Sequence, residues 1–96
     1  MEKSYYVYLL TNKPYGALYC GMTVDLARRV YEHQQNLIDG FTKRYNIKQL
    51  VYYEVYPSHD EAFYRERQLK NWKRDWKKQL IEKDNRDWKD LSGALQ

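Results

Sequence analysis

Tyr6-Val7-Tyr8 and Tyr19-Cys20-Gly21, joined through the turn segment Thr11-Asn12-Lys13-Pro14-Tyr15-Gly16, are the stretch whose reading decides the fold. From Ser4 to Thr11 β-formers dominate, and the side chains divide into Tyr5, Val7 and Leu9 on one face and Tyr6, Tyr8 and Leu10 on the other. Both sets are apolar or aromatic, which predicts a central strand covered on both sides. Asparagine, proline and glycine together mark a turn, and Ala17 to Met22 returns as a second strand, so the pair is a hairpin. In that hairpin Tyr19 and Gly21 share one face, while Leu18, Cys20 and Met22 share the other.

Working outward, Thr23 or Asp25 caps a helix expected to run to about Asn36. At about 100° per residue, Arg29, Val30, His33 and Leu37 fall on the side of Leu26, whereas Arg28 and Glu32 point away. Arg29 and His33 are thereby expected to reach the same edge of the sheet as the two tyrosines. Ile38 to Lys48 reads as a loop with a turn at Asp39-Gly40. Its Phe41-Thr42-Lys43-Arg44-Tyr45 segment either lies across a nucleic-acid backbone or packs its two aromatics down on the domain. Gln49 to Tyr56 is a third strand, stopped by Pro57.

Ser58 or Asp60 caps the next helix, whose inner face is Ala62, Phe63 and Leu69, with Glu66 in its middle. A carboxylate there needs a cation, a donor network or a wet cleft beside it. The readings are a metal ligand or acid/base group, or a salt bridge to a nearby basic residue. The helical pattern continues through Trp72, Trp76 and Leu80, with a break near Asn71 to Asp75, and spacing on one stripe makes the tryptophans core cover. From Asp84 the chain turns polar, and Ser92 to Gln96 is expected to fray.

At 96 residues the chain is read as a single domain able to bury its own core, about 4–80, followed by a polar tail. One cysteine excludes an internal disulfide, and two distant histidines offer no Cys/His zinc spacing, so Cys20 is read as packing. No apolar run approaches membrane-spanning length and no signal peptide is apparent, which makes a cytoplasmic protein the default expectation. The net charge is +4, and the basic excess lies between Arg65 and Lys78, where seven basic residues face only Glu66 and Asp75. Basic residues mixed with eleven tyrosines and three tryptophans suit a partner rich in phosphate and bases, as they equally suit a solvated helix face.

The order and spacing of these features resemble the GIY-YIG nuclease domain. Tyr6-Val7-Tyr8 stands at the GIY position and Tyr19-Cys20-Gly21 at the YIG position. Arg29 follows Tyr19 by ten residues, His33 stands four further on, and Ala62-Phe63-Tyr64-Arg65-Glu66 has the form of the family's alanine and glutamate. The resemblance covers about residues 4 to 80. It is strongest to small, stand-alone bacterial single-domain proteins, through Phe41-Thr42-Lys43-Arg44-Tyr45-Asn46, Leu50-Val51-Tyr52-Tyr53-Glu54 and Glu66-Arg67-Gln68-Leu69-Lys70-Asn71-Trp72. The chain departs from the pattern in having Tyr6 for the GIY glycine, Cys20 for the second isoleucine, and Met22 where excision-repair relatives carry lysine.

The resemblance implies an α/β (α+β) fold, a three-stranded antiparallel sheet flanked by helices in β-β-α-β-α-α order. It implies an endonuclease that hydrolyses DNA phosphodiester bonds by structure rather than sequence, acting on branched or single-stranded DNA. Tyr8, Tyr19, Arg29, His33 and Glu66 would be catalytic, and Glu66 would hold a single Mg²⁺ or Mn²⁺ ion. Arg29 would contact the scissile phosphate, and one phenol would activate the water if positive charge lowered its pKa from about 10. Lys43, Arg44, Lys70, Lys73 and Arg74 would touch the nucleic-acid backbone, and Gly21 would clear space for it. A monomer is favoured. The alternatives are a nucleic-acid-binding module without catalysis, and a protein-interaction domain using the Trp72 and Trp76 surface.

Overall fold

Strand β1 (Tyr5–Thr11) runs through the middle of a three-stranded antiparallel sheet, between β2 (Leu18–Thr23) and β3 (Gln49–Tyr56). The structure is a computed structural model and describes residues 3–95. Because β1 is central, both of its faces are buried, as its doubly apolar sequence requires. Val7 and Leu9 pack with Cys20, Val51, Ala62, Leu69 and Ile81 on one side of the sheet. Tyr8 and Leu10 pack with Leu26, Val30, Ile47 and Leu50 on the other.

Helix α1 (Leu26–Gln34) covers the Tyr8 side. Asp25 caps it by accepting from the Arg28 amide at 3.2 Å. Asn36 ends it in the left-handed region (φ 58°), with its amide bonded back to the His33 carbonyl. The helix is therefore shorter than its sequence period suggests. Leu37, expected on the inner face, is exposed because the chain has already turned.

The segment read as a loop contains a short helix, α2 (Phe41–Arg44), introduced by Gly40 at φ 109°. It is pinned from below by buried Thr42 and by the wholly buried Ile47 that follows. The pattern is inverted relative to ordinary packing, with the polar threonine inside and the aromatics Phe41 and Tyr45 outside. The two aromatics do not pack down on the domain.

Helix α3 (His59–Asn71) covers the Val7 side and starts in a reciprocal cap. The Ser58 hydroxyl accepts from the Glu61 amide and donates to the Glu61 carboxylate. Ala62 and Leu69 are its buried residues, whereas Phe63, expected on the inner face, is exposed. The expected break falls at Trp72 and Lys73, before α4 (Arg74–Asp84). That break rotates the next helix about its axis. Ile81 is the buried residue of α4, and Trp76 is 50% exposed rather than core cover.

The C-terminal segment is not frayed across its described residues, and Gln96 lies outside them. Trp88 is fully buried in the cluster on the α3 side, with its indole N–H donating to Glu82 at 2.8 Å. Asn85 donates to the Val51 carbonyl, Asp90 accepts from the Leu50 amide, and the Leu91 amide donates to the Leu50 carbonyl at 2.7 Å. These bonds satisfy the backbone of β3 at its irregularity opposite Leu9 and Leu10. Leu91 and Leu95 then pack on the opposite face, so the segment straps both layers together. No described helix is long and apolar enough to cross a membrane.

Candidate active site

Register builds the centre of the site. Tyr8 is directly opposite Gly21 in the β1–β2 ladder, and a Cβ at Gly21 would lie 2.4 Å from the Tyr8 Cζ and hydroxyl. The glycine makes room for the phenol ring. The ring lies over Gly21 and reaches toward α1, where its hydroxyl is 3.2 Å from His33 Nε2. The other ring nitrogen of His33 is 3.0 Å from the Thr42 hydroxyl of α2.

Tyr8 is 1% and His33 2% exposed, so this pair is sealed beneath the surface. Burial pushes the Tyr8 phenol up to about 12 against the opposing pull of Arg29, so it stays protonated at neutral pH. Burial, with the charge of Arg29 in addition, brings His33 down to about 4, and its ring is neutral at the same pH.

Two side chains carry the cluster outward. Tyr19 is half-buried, its ring centroid 6.3 Å from that of Tyr8 and 5.6 Å from that of His33. The Arg29 side chain is 39% exposed and is held by Glu32 at 3.2 Å. Desolvation alone would lower its pKa, but the neighbouring Tyr8 hydroxyl and Glu32 outweigh it and raise it. Glu32, expected to point away, reaches back to Arg29 and also lies 3.4 Å from solvated Arg28. Arg29, Met22, Thr23, Asp25 and Glu32 line a recess of about 300 Å³ beside the end of β2.

Glu66 stands apart from this group. It lies on α3, which packs on the other face of the sheet, and its backbone carbonyl accepts from the Cys20 thiol at 3.9 Å. Its carboxylate is largely buried and pairs with Lys70 at 3.6 Å. Tyr8, Tyr19, Arg29, His33 and Gly21 are thus brought together, and Glu66 meets β2 at Cys20, from the opposite face of the sheet. Among the described residues no three His, Cys, Asp or Glu side chains are grouped to hold a metal ion. A lone carboxylate fits a hard cation that keeps most of its waters and shares substrate phosphates. Burial pushes the Cys20 thiol up to about 12, which leaves it inert and consistent with packing.

The basic residues fall into two separate groups. On α2, beside His33, Lys43 pairs with Asp39 at 3.3 Å and Arg44 lies over the Tyr45 ring at 5.6 Å. At the α3–α4 junction Lys70 faces Glu66 and Lys73 is exposed. Arg74 is committed elsewhere, donating to the carbonyls of Tyr15 and Gly16 at 3.0 and 2.6 Å. It ties down the β1–β2 turn.

Sequence reasoning missed Thr42, Glu32 and the network around Glu54. Glu32 had a signal in its i+3 and i+4 spacing from the two arginines. Thr42 had none, since its bond to His33 is purely tertiary.

A family model described as the GIY-YIG catalytic domain matches residues 4–79. The chain is 34% identical to a UPF0213 protein of Haloquadratum walsbyi over 85% of its own length and 91% of that protein's. It is 35% identical to a UPF0213 protein of Staphylococcus saprophyticus, covering 84% and 96% of the two chains. The solution NMR structure of a UPF0213 protein from Bacillus halodurans is similar with a TM-score of 0.55 and 29% identity, over 92% of this chain and 93% of that one.

Proposed function

Because the chain belongs to the GIY-YIG catalytic-domain family, a family of nucleases, we propose that it is an endonuclease hydrolysing phosphodiester bonds in DNA, selecting branched or single-stranded structure rather than sequence. The observation that carries this reading is Arg29, a cation held in place by Glu32 and Tyr8 yet open to solvent. A guanidinium so fixed suits a phosphate bidentately and gains strength as negative charge grows on the phosphoryl oxygens.

The roles of the two phenols separate by burial. Tyr8 is sealed and protonated, so it serves as a positioning group whose hydroxyl donates to His33 and accepts from Arg29. Tyr19, half-buried, is the less sealed of the two phenols and is the one assigned to the attacking water. His33, neutral and fixed by Thr42, holds Tyr8 in place. Glu66 is the residue that would hold Mg²⁺ or Mn²⁺, and such an ion would neutralise phosphate oxygens at the cleaved bond. A substrate lying along the β2 edge would meet Arg29 from one side of the sheet and Glu66 from the other.

A second reading, a nucleic-acid-binding module that does not cleave, is favoured by one observation. The Lys70 ammonium already occupies the Glu66 carboxylate. The two readings part in a cleavage panel of linear, flapped and junction DNAs and RNAs with Mg²⁺ or Mn²⁺, run on wild type and Glu66→Ala together. Cleavage by wild type and none by Glu66→Ala is expected. Salt-sensitive binding without cleavage in either protein would select the binding module instead.

A further inference from the structure

Helix α2 presents Phe41 and Tyr45 on one outward face, each 48% exposed, with ring centroids 4.8 Å apart. Exposed aromatics one helical turn apart are unusual beside a buried threonine, because apolar burial drives the opposite arrangement. The inversion has a cause on its inner side, where Thr42 must reach His33, and leaves the outer side to be explained. There the Arg44 guanidinium lies over the Tyr45 ring, Lys43 stands between the two aromatics in sequence, and Asp39 is its carboxylate neighbour. Gly40, Phe41, Lys43, Arg44 and Tyr45 line an open recess of about 780 Å³.

We propose that Phe41 and Tyr45 form a stacking platform for an unpaired nucleobase, with Lys43 and Arg44 binding the phosphates on either side of it. This deepens the nuclease reading by naming the part of the substrate that the α2 side of the site holds. Aromatic faces stack on any base and distinguish unpaired from paired nucleotides, since a base inside a duplex has no free face to offer. Charge complementarity selects this occupant over a purely apolar one. Arg44 has no acidic partner among the described ion pairs, and its stacked guanidinium keeps donors for a phosphate. The Thr42 bond to His33 then fixes the platform to the catalytic cluster, so an extruded or single-stranded base on α2 sets which phosphate meets Arg29.

The test measures binding of short fluorescently labelled single strands, DNA and RNA, and of a duplex of equal length, with chelator present to prevent cleavage. Replacing both aromatics by leucine (Phe41→Leu with Tyr45→Leu) keeps apolar bulk but removes the ring faces. Single-strand affinity is expected to fall roughly 10-fold or more on DNA and RNA alike, with duplex affinity within about twofold of wild type. Tyr45→Phe should bind as wild type, and 2-aminopurine within the strand should be quenched on binding wild type but not the double variant. Unchanged single-strand binding by the double variant, equal losses on single strand and duplex, or absence of quenching by wild type would each overturn the platform. A parallel cleavage arm with Mg²⁺ separates it from the nuclease reading. Quenching without cleavage leaves the platform and removes the nuclease, and cleavage with unaltered binding by the double variant does the reverse.

Discussion

The two faces of the sheet each bury a polar cluster beneath a helix, and the two clusters are finished in opposite ways. Under α3, the Glu54 carboxylate takes the Arg65 guanidinium in a bidentate pair at 2.8 and 3.0 Å. It also accepts from the Tyr56 hydroxyl at 2.6 Å and from Tyr52. Trp72 closes the network by lying 4.9 Å under the Arg65 guanidinium. Burial would raise the Glu54 carboxyl, but Arg65 and the two hydroxyls outweigh it and hold it below its ordinary range, while Tyr52 and Tyr56 are pushed up. Under α1, by contrast, the Tyr8–His33–Thr42 chain is sealed at its inner end and opens at Arg29 and Tyr19. A closed network of this kind stabilises the fold, and an open one is available to a substrate.

Removing the arginine from each cluster breaks this comparison most directly. Arg29→Ala should lower cleavage by on the order of 10²–10³-fold while leaving the thermal midpoint nearly unchanged, because its ion pair with Glu32 is half-exposed. Single-turnover cleavage beside a melting curve checks both halves. Arg65→Ala should do the converse. It strands the Glu54 carboxylate in a largely desolvated position, at a cost of about 3 kcal/mol in denaturant titration, with any surviving folded protein still cleaving. Equal loss of activity and stability in both variants would erase the distinction between the faces.

This division was only half legible in the sequence. The alternation of β1 and β2 separates Tyr8 and Tyr19 from Cys20, and helical spacing brings Arg29 and His33 to the tyrosine side, because period and cap are local properties. That Glu66 sits across the sheet from them is the consequence of which face α3 covers, a tertiary choice that no local pattern records. Thr42 and the Glu54 network depend likewise on contacts between distant segments. The C-terminal strap was misread because Trp88 is a single apolar residue among Asp84, Arg86, Asp87, Lys89 and Asp90, which resembles a solvated tail. Its burial depends on a left-handed backbone at Trp88 (φ 55°), a conformation costing about 1–2 kcal/mol that packing must offset.

Gly21→Ala sharpens the comparison with a smaller effect. The added methyl would meet the Tyr8 ring at 2.4 Å, and the ring cannot retreat because His33 backs its hydroxyl. A loss of about 2 kcal/mol in stability is expected, with a drop in cleavage as Tyr8 leaves Arg29. Pairing the variant with Tyr8→Leu, which takes away the ring that the methyl meets, measures the coupling. If the ring is what the methyl strikes, the two losses in stability should be far from additive. Additive losses would mean that the glycine serves the backbone instead.

The smallest effect distinguishes the faces by pH. His33 has a folded-state pKa near 4, below its ordinary 6.5, so the native protein binds this proton less readily than the unfolded chain does. Its contribution is therefore complete above about pH 6.5 and declines as the pH falls toward 4. Relative to His33→Gln, which keeps polar contacts but does not titrate, wild type should lose about 1 kcal/mol between pH 7 and pH 5.5. The charged groups facing the imidazole are Arg29, which opposes its protonation, and Glu32, which favours it, so Glu32→Gln should carry the decline on to lower pH while leaving the pH 7 to 5.5 interval nearly unchanged. The Glu54 cluster titrates in the same direction but lower, since its carboxyl is held below the usual range and loses its bonds only when protonated. An Arg65→Ala background should consequently leave the pH 7 to 5.5 difference between wild-type His33 and His33→Gln intact, and a change in that difference would show that the two faces are coupled through β1.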